Sequence, residues 1–189
     1  MEFITKLKLE DKVVVTDPCY CTDLEESGII LLKEVQEGEY KCYAIYDRDN
    51  QIKEAVILFE NLSFWNKDAY SWQLETKTIS VDAGIAGVIN YALYEEMMLC
   101  KAKNEKEWES RYYKEICELF SKDDTICFRE NSFITLTGVG DGEYEVFTTK
   151  NKDNKIVGIN IVYIEDEDEE DDEWYDEEFE DDWEEEEEY

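Results

Sequence analysis

Two pairs of apolar runs, each joined by a short polar turn, commit most of this chain to antiparallel sheet. Residues 39–46 (E-Y-K-C-Y-A-I-Y) and 52–59 (I-K-E-A-V-I-L-F) flank Asp47-Arg48-Asp49-Asn50. Residues 143–149 (E-Y-E-V-F-T-T) and 155–164 (K-I-V-G-I-N-I-V-Y-I) flank Asn151-Lys152-Asp153-Asn154. Short polar side chains that bond their own backbone favour tight turns, so both pairs are predicted hairpins. In the last arm Val157, Ile159, Ile161 and Tyr163 alternate with Gly158, Asn160 and Val162, which predicts one face buried more deeply than the other. Further strands are expected at 12–16, 72–82 and 126–137.

Helices are fewer. Trp108, Tyr112, Ile116, Leu119 and Phe120 form one apolar stripe at helical spacing, which predicts an amphipathic helix from Asn104 to Phe120. A second helix is expected over Val88 to Cys100, with Val88, Ile89, Ala92, Leu93 and Met97 on one side. The expected fold class is α+β: a mostly antiparallel sheet packed by about two helices, in one compact domain over residues 1–164.

Residues 165–189 are different in kind. They hold 20 acids and no bases, and a segment that cannot bury its charges and repels itself is expected to be disordered. Tyr175, Phe179 and Trp183 would share one face of an induced helix, so with Trp174 they are candidate partner-binding residues. The plainer alternative is a solubilising tail.

The whole chain carries a net charge of −32, of which residues 1–164 contribute −12. Phosphate backbones need clustered Lys and Arg, so direct nucleic-acid binding is not expected; a basic protein surface or a nucleic-acid-binding protein is the expected partner. No run approaches the roughly 18 apolar residues of a membrane span, and the opening residues lack a continuous apolar signal core, so a cytoplasmic protein without a membrane partner is expected.

The chain has no histidine. That removes Ser-His and Cys-His nucleophile pairs, the usual proton shuttle near neutral pH and most catalytic zinc arrangements. The six cysteines include no C-x-x-C pair and read as free thiols in a reducing compartment. The alternative is a zinc site in which Cys19 and Cys21 join Cys42 or Cys127. Asp47-Arg48-Asp49-Asn50-Gln51 lacks the glycine and bidentate glutamate of a calcium loop and reads as a plain turn.

Three acidic turns are the candidate centre. Asp17 ends an apolar strand in D-P-C-Y-C, at the chain's only proline; Asp82 ends another in I-S-V-D-A-G-I-A-G; Asp141 lies in T-G-V-G-D-G-E-Y. Each has a structural reading. Asp17 would accept backbone N–H bonds while Pro18 sets a turn and Cys19 packs inward. Asp82 would cap a helix, with Gly84 and Gly87 easing passage from strand to helix. The glycines around Asp141 would adopt positive φ at the start of a hairpin. Should the carboxylates converge, either Mg²⁺ or Mn²⁺ offsets their repulsion in a metal-assisted hydrolase, or one stays protonated as a general acid.

Together D-P-C-Y, S-V-D-A-G-I-A-G and G-D-G-E-Y-E-V-F followed by K-I-V-G-I-N-I-V resemble a functionally uncharacterised family of small bacterial and phage domains, over roughly residues 12–164. Members commonly have Val-Asp-Ala-Gly-Gln where this chain has Ile85 after Gly84. The resemblance implies that Asp17, Cys19, Tyr20, Asp82 and Asp141 belong to one structural or ligand-binding centre, and it implies no settled reaction. The leading expectation is a non-enzymatic, acidic interaction protein without a cofactor that engages a basic or nucleic-acid-binding partner, as an inhibitor in phage–bacterial conflict would. The alternative is a small-molecule binder or metal-assisted hydrolase working through the three turns.

Overall fold

A computed structural model describes residues 1–63 and 70–164. Both expected hairpins are present: β4 (Gly38–Tyr46) pairs with β5 (Ile52–Phe59), and β11 (Gly142–Lys150) with β12 (Ile156–Val162). Their turns are built alike. The Asp47 carboxylate accepts the N–H of Asp49 and of Gln51, and the Asn151 side chain accepts those of Asp153 and Lys155. Asn50 and Asn154 take the positive φ that closes each loop, a conformation asparagine tolerates. Asp47 is thereby a turn-former.

The larger sheet orders β1 (Glu2–Leu9), β4, β5, β12, β11 and β6 (Trp72–Leu74), with β7 (Ile79–Val81) also on β11; every ladder in it is antiparallel. The strand expected over 72–82 is therefore two short pieces along one neighbour. The smaller sheet runs β3 (Ile30–Lys33), β2 (Lys12–Thr16), β8 (Ile85–Asn90), β10 (Ser132–Leu136) and β9 (Thr125–Ile126), again antiparallel. The strand expected over 126–137 is a hairpin, β9 folding back on β10.

The smaller sheet is the middle of three layers. Val13, Val15, Ala86, Val88 and Phe133 face the larger sheet and pack with Leu7, Tyr40, Ile57, Ile159 and Ile161. Val14, Ile89 and Ile134 face the other way, onto Leu93, Tyr94, Met97, Trp108, Tyr112 and Ile116 of the helices. Burial on both faces explains why β2 and β8 read as unbroken apolar runs rather than alternating ones. It also accounts for a correction. Val88 and Ile89 belong to β8, and the first helix, α1, spans Tyr91–Lys103 with Leu93, Tyr94 and Met97 buried, while Ala92 is exposed. In β12 the two faces are more nearly equal than expected: Gly158 and Asn160 are buried along with Ile159 and Ile161.

The second helix begins at Asn104, whose side chain accepts the Glu107 N–H as a cap. It runs as α2 (Glu105–Trp108), a π-helical turn (Glu109–Tyr113) and α3 (Lys114–Phe120). Trp108, Tyr112 and Ile116 repeat every fourth residue, whereas an α-helix turns every 3.6. The wider π turn absorbs that drift and keeps all three rooted in the core. No helix among the described residues is long and apolar enough to cross a membrane. The expected disordered tail at 165–189, with Trp174, Tyr175, Phe179 and Trp183, lies outside the described residues.

Candidate functional site

The D-P-C-Y stretch forms a tight turn: the Tyr20 N–H reaches the Asp17 carbonyl at 3.2 Å across Pro18 and Cys19, and Cys19 packs inward. The Asp17 side chain is fully buried and serves as a latch. One carboxylate oxygen accepts the Cys19 N–H at 2.8 Å; the other accepts the Asp82 N–H at 3.1 Å and the Ala83 N–H at 2.8 Å. Burial raises its pKa, and these three amides pull it partly back.

The turn after Asp82 leads into strand β8, so Asp82 caps no helix. Gly84 takes a φ of +64° there, and Gly87 lies inside β8 rather than at a strand-to-helix passage. The third turn joins them. The Thr137 N–H donates to the Gly84 carbonyl at 3.0 Å, the Thr137 hydroxyl accepts the Gly140 N–H, and the Tyr144 hydroxyl donates to the Gly140 carbonyl. Gly138 and Gly140 have the expected positive φ. The three turns thus converge through their backbones.

Their carboxylates do not act as a set. Asp17 is committed to three amides, Asp82 is exposed, and Asp141 is exposed and outside the cleft described next. Among the described residues no group of three or more Cys, Asp or Glu is placed to hold a metal ion. The zinc alternative divides in the same way: Cys19 and Cys21 pack in the helix-facing core, whereas Cys42 packs between the sheets.

Beside the latch opens a cleft of about 760 Å³. Cys19, Tyr20, Asp82 and Ala83 form one side. Lys101, Glu105, Trp108, Glu109 and Tyr113 come from α1 and the second helix, including both ends of the π turn. Ile85, Leu136 and Phe120 add apolar surface. Tyr20 and Tyr113 are 47% and 42% exposed, large for aromatic rings. Trp108 is 4% exposed, and its indole N–H has no acceptor among the described residues. The Lys101 ammonium sits 4.7 Å from the centre of that indole. Asp82 first, then slight burial, Asp17 and Asp141, hold the Tyr20 phenol above its ordinary pKa, a measure of the negative field at this rim.

The two buried thiols beside the latch are not poised for chemistry. Burial raises the pKa of Cys19, with Asp17 adding to it, and pushes Cys21 up to about 12. All six cysteines are free, but only Cys19, Cys21 and Cys42 are buried; Cys117 and Cys127 are exposed and Cys100 is half-buried. Brief treatment of the native protein with a maleimide at neutral pH should therefore label Cys117 first, Cys127 more slowly because partial burial raises its thiol pKa, and spare Cys19, Cys21 and Cys42, as peptide mass spectrometry would read. Labelling of Cys19 before Cys117 would contradict this burial order.

Of the residues expected from sequence, Cys19, Tyr20 and Asp82 line the cleft, Asp17 supports it from beneath, and Asp141 reaches it only through its field at Tyr20. Lys101, Glu105, Glu109 and Tyr113 were not among the expected site residues, and Trp108 was expected only as part of the helix stripe. No family model, curated protein or solved structure matches this chain.

Proposed function

We propose that this protein is an acidic interaction protein that binds a basic partner, such as a nucleic-acid-binding protein, over the face that carries the cleft. The supporting observation is the cleft's own composition: among the described residues Asp82, Glu105 and Glu109 stand against the single base Lys101, amid exposed tyrosines. Carboxylates of this density on a chain of net charge −32 steer a basic surface toward the cleft and repel phosphate. Covering a partner's basic face in this way would inhibit its binding to nucleic acid.

Charge steering has a definite signature. Between roughly 0.01 and 0.15 M salt the Debye length falls from about 30 to about 8 Å, so association with an Arg- and Lys-rich peptide should slow by on the order of tenfold. The double variant Glu105→Gln, Glu109→Gln should slow it several-fold at low salt and flatten the salt dependence. Stopped-flow measurement showing the same rate at both salt concentrations would refute this reading.

A small-molecule binder is the second reading, favoured by the cleft volume, which lies within the roughly 300–1,000 Å³ usual for ligand pockets. The metal-assisted branch of that alternative has less support, since no three Cys, Asp or Glu among the described residues are grouped to hold a metal ion.

A further inference from the structure

We infer that the cleft beside the Asp17 latch receives an arginine side chain of the partner, stacked on the Trp108 and Tyr113 rings and paired with the rim carboxylates, with Lys101 leaving the indole to admit it. The inference rests on the proposed basic partner and adds the recognised group.

A cation already occupies the place. The Lys101 ammonium lies 4.7 Å from the Trp108 ring centre and makes no ion pair among the described residues. The ring face therefore accepts a positive charge, held there by the aromatic quadrupole rather than by a carboxylate partner. Asp82, Glu105 and Glu109 remain on the rim without a described ion pair to a base, so the cleft holds more negative charge than its own lysine neutralises. Trp108 and Tyr113 both line the cleft, with ring centres 5.9 Å apart and planes tilted by 34°.

The ligand's identity follows from those surfaces. A guanidinium is planar, less tightly hydrated than an ammonium, stacks on aromatic faces and bonds carboxylates through two parallel N–H groups. An ammonium can sit over a ring, as Lys101 does, but it is not planar and has no fork of parallel N–H groups to offer a carboxylate. The volume is sufficient as well: about 760 Å³ exceeds what one side chain fills.

The full chain would be titrated with the capped peptide Gly-Arg-Gly, its lysine counterpart and the neutral citrulline isostere, each to millimolar concentration, by calorimetry. The arginine peptide should bind at least about fivefold more tightly than the lysine peptide, and the citrulline peptide should not bind measurably. Lys101→Met, which removes the resident cation, should raise arginine affinity by about threefold to tenfold; Glu105→Gln with Glu109→Gln should lower it similarly. Tyr113→Ala, an exposed change, should also lower it, and serves where Trp108→Phe unfolds the protein. Equal affinity for arginine and citrulline, no binding of arginine, or weaker binding after Lys101→Met would overturn the inference. Should those tripeptide results go against it while the longer basic peptide keeps its salt-dependent association, the arginine pocket falls and the interaction reading stands. Loss of that salt dependence instead removes the interaction reading.

Discussion

Asp17→Ala is expected to lower the stability of the folded domain by about 3 kcal/mol, a fall of roughly 6–12 °C in unfolding midpoint for a chain of this size. The truncation leaves the N–H groups of Cys19, Asp82 and Ala83 without their acceptor at once, and the first of these is buried. Hydrogen bonds to an ionised group are each worth about 1.5–3 kcal/mol, and water entering from the cleft at the exposed Asp82–Ala83 side recovers part of the loss. Asp82→Ala and Asp141→Ala remove exposed side chains and should stay within about 0.5 kcal/mol of the parent. Chemical denaturation of the three variants separates the latch from its neighbours. Equal costs for all three would mean that Asp17 holds nothing.

The same carboxyl predicts a pH dependence of definite sign. Its folded pKa lies above the ordinary 3.8, so the folded state binds the Asp17 proton more tightly than the unfolded chain does. This contribution is therefore fully present below the unfolded value, is lost as pH rises through the folded one, and is constant at higher pH. The other carboxylates titrate as well, so the useful quantity is the stability of the parent minus that of Asp17→Asn. The margin of the parent over the variant should shrink as pH rises from about 4, then level off. A margin that grew over that interval would show that the three amides outweigh burial.

Much of the sheet was legible because its signals are local. Asp47 and Asn151 act on backbone within four residues of themselves, and the flanking arms alternate or run apolar over strand lengths. The turn at Asp17-Pro18-Cys19 was legible for the same reason, down to its side-chain acceptor. Strand β8 was not. I-A-G-V-I-N is buried on both faces, so it carries no period of two, and its apolar residues merge with those of α1 into an apparent helical stripe. Strand β1 did carry a signal, Lys6 and Lys8 outward against Leu7 and Leu9 inward, but a bulge between Phe3 and Thr5 breaks the alternation early. The cleft is a tertiary object. Asp17 meets Ala83 across 66 residues, and Lys101 joins Tyr20 only because the helices fold across the middle sheet. The four-residue repeat of Trp108, Tyr112 and Ile116 was the one local hint of the π turn, since it exceeds the α-helical period.

Gly87→Ala is expected to be strongly destabilising, by about 3 kcal/mol, the upper end of the usual cost of forced overpacking. A Cβ at Gly87 would stand 2.3 Å from the Phe133 carbonyl oxygen and 2.7 Å from the Ile134 Cα, both main-chain atoms of the paired strand β10. No rotamer change relieves a backbone clash, so β8 and β10 must part, and β8 is held on its other edge by Thr16 of β2. Gly158→Ala is the internal control. There the nearest atoms are the ends of Thr149, Leu58 and Trp72 side chains, at 2.7, 3.0 and 3.1 Å, which can turn aside. An alanine in a strand also loses less backbone entropy on folding than glycine, by about 0.5–1 kcal/mol, so Gly158→Ala should fall within about 1 kcal/mol of the parent. The contrast bears on function because β8 begins just after the Asp82 turn and ends at α1, the elements that carry Asp82 and Lys101 to the two sides of the cleft. A Gly87→Ala protein that still folds should therefore bind basic peptide more weakly, whereas Gly158→Ala should bind as the parent does; equal unfolding midpoints for the two variants would show that β8 can yield where its backbone contacts say it cannot.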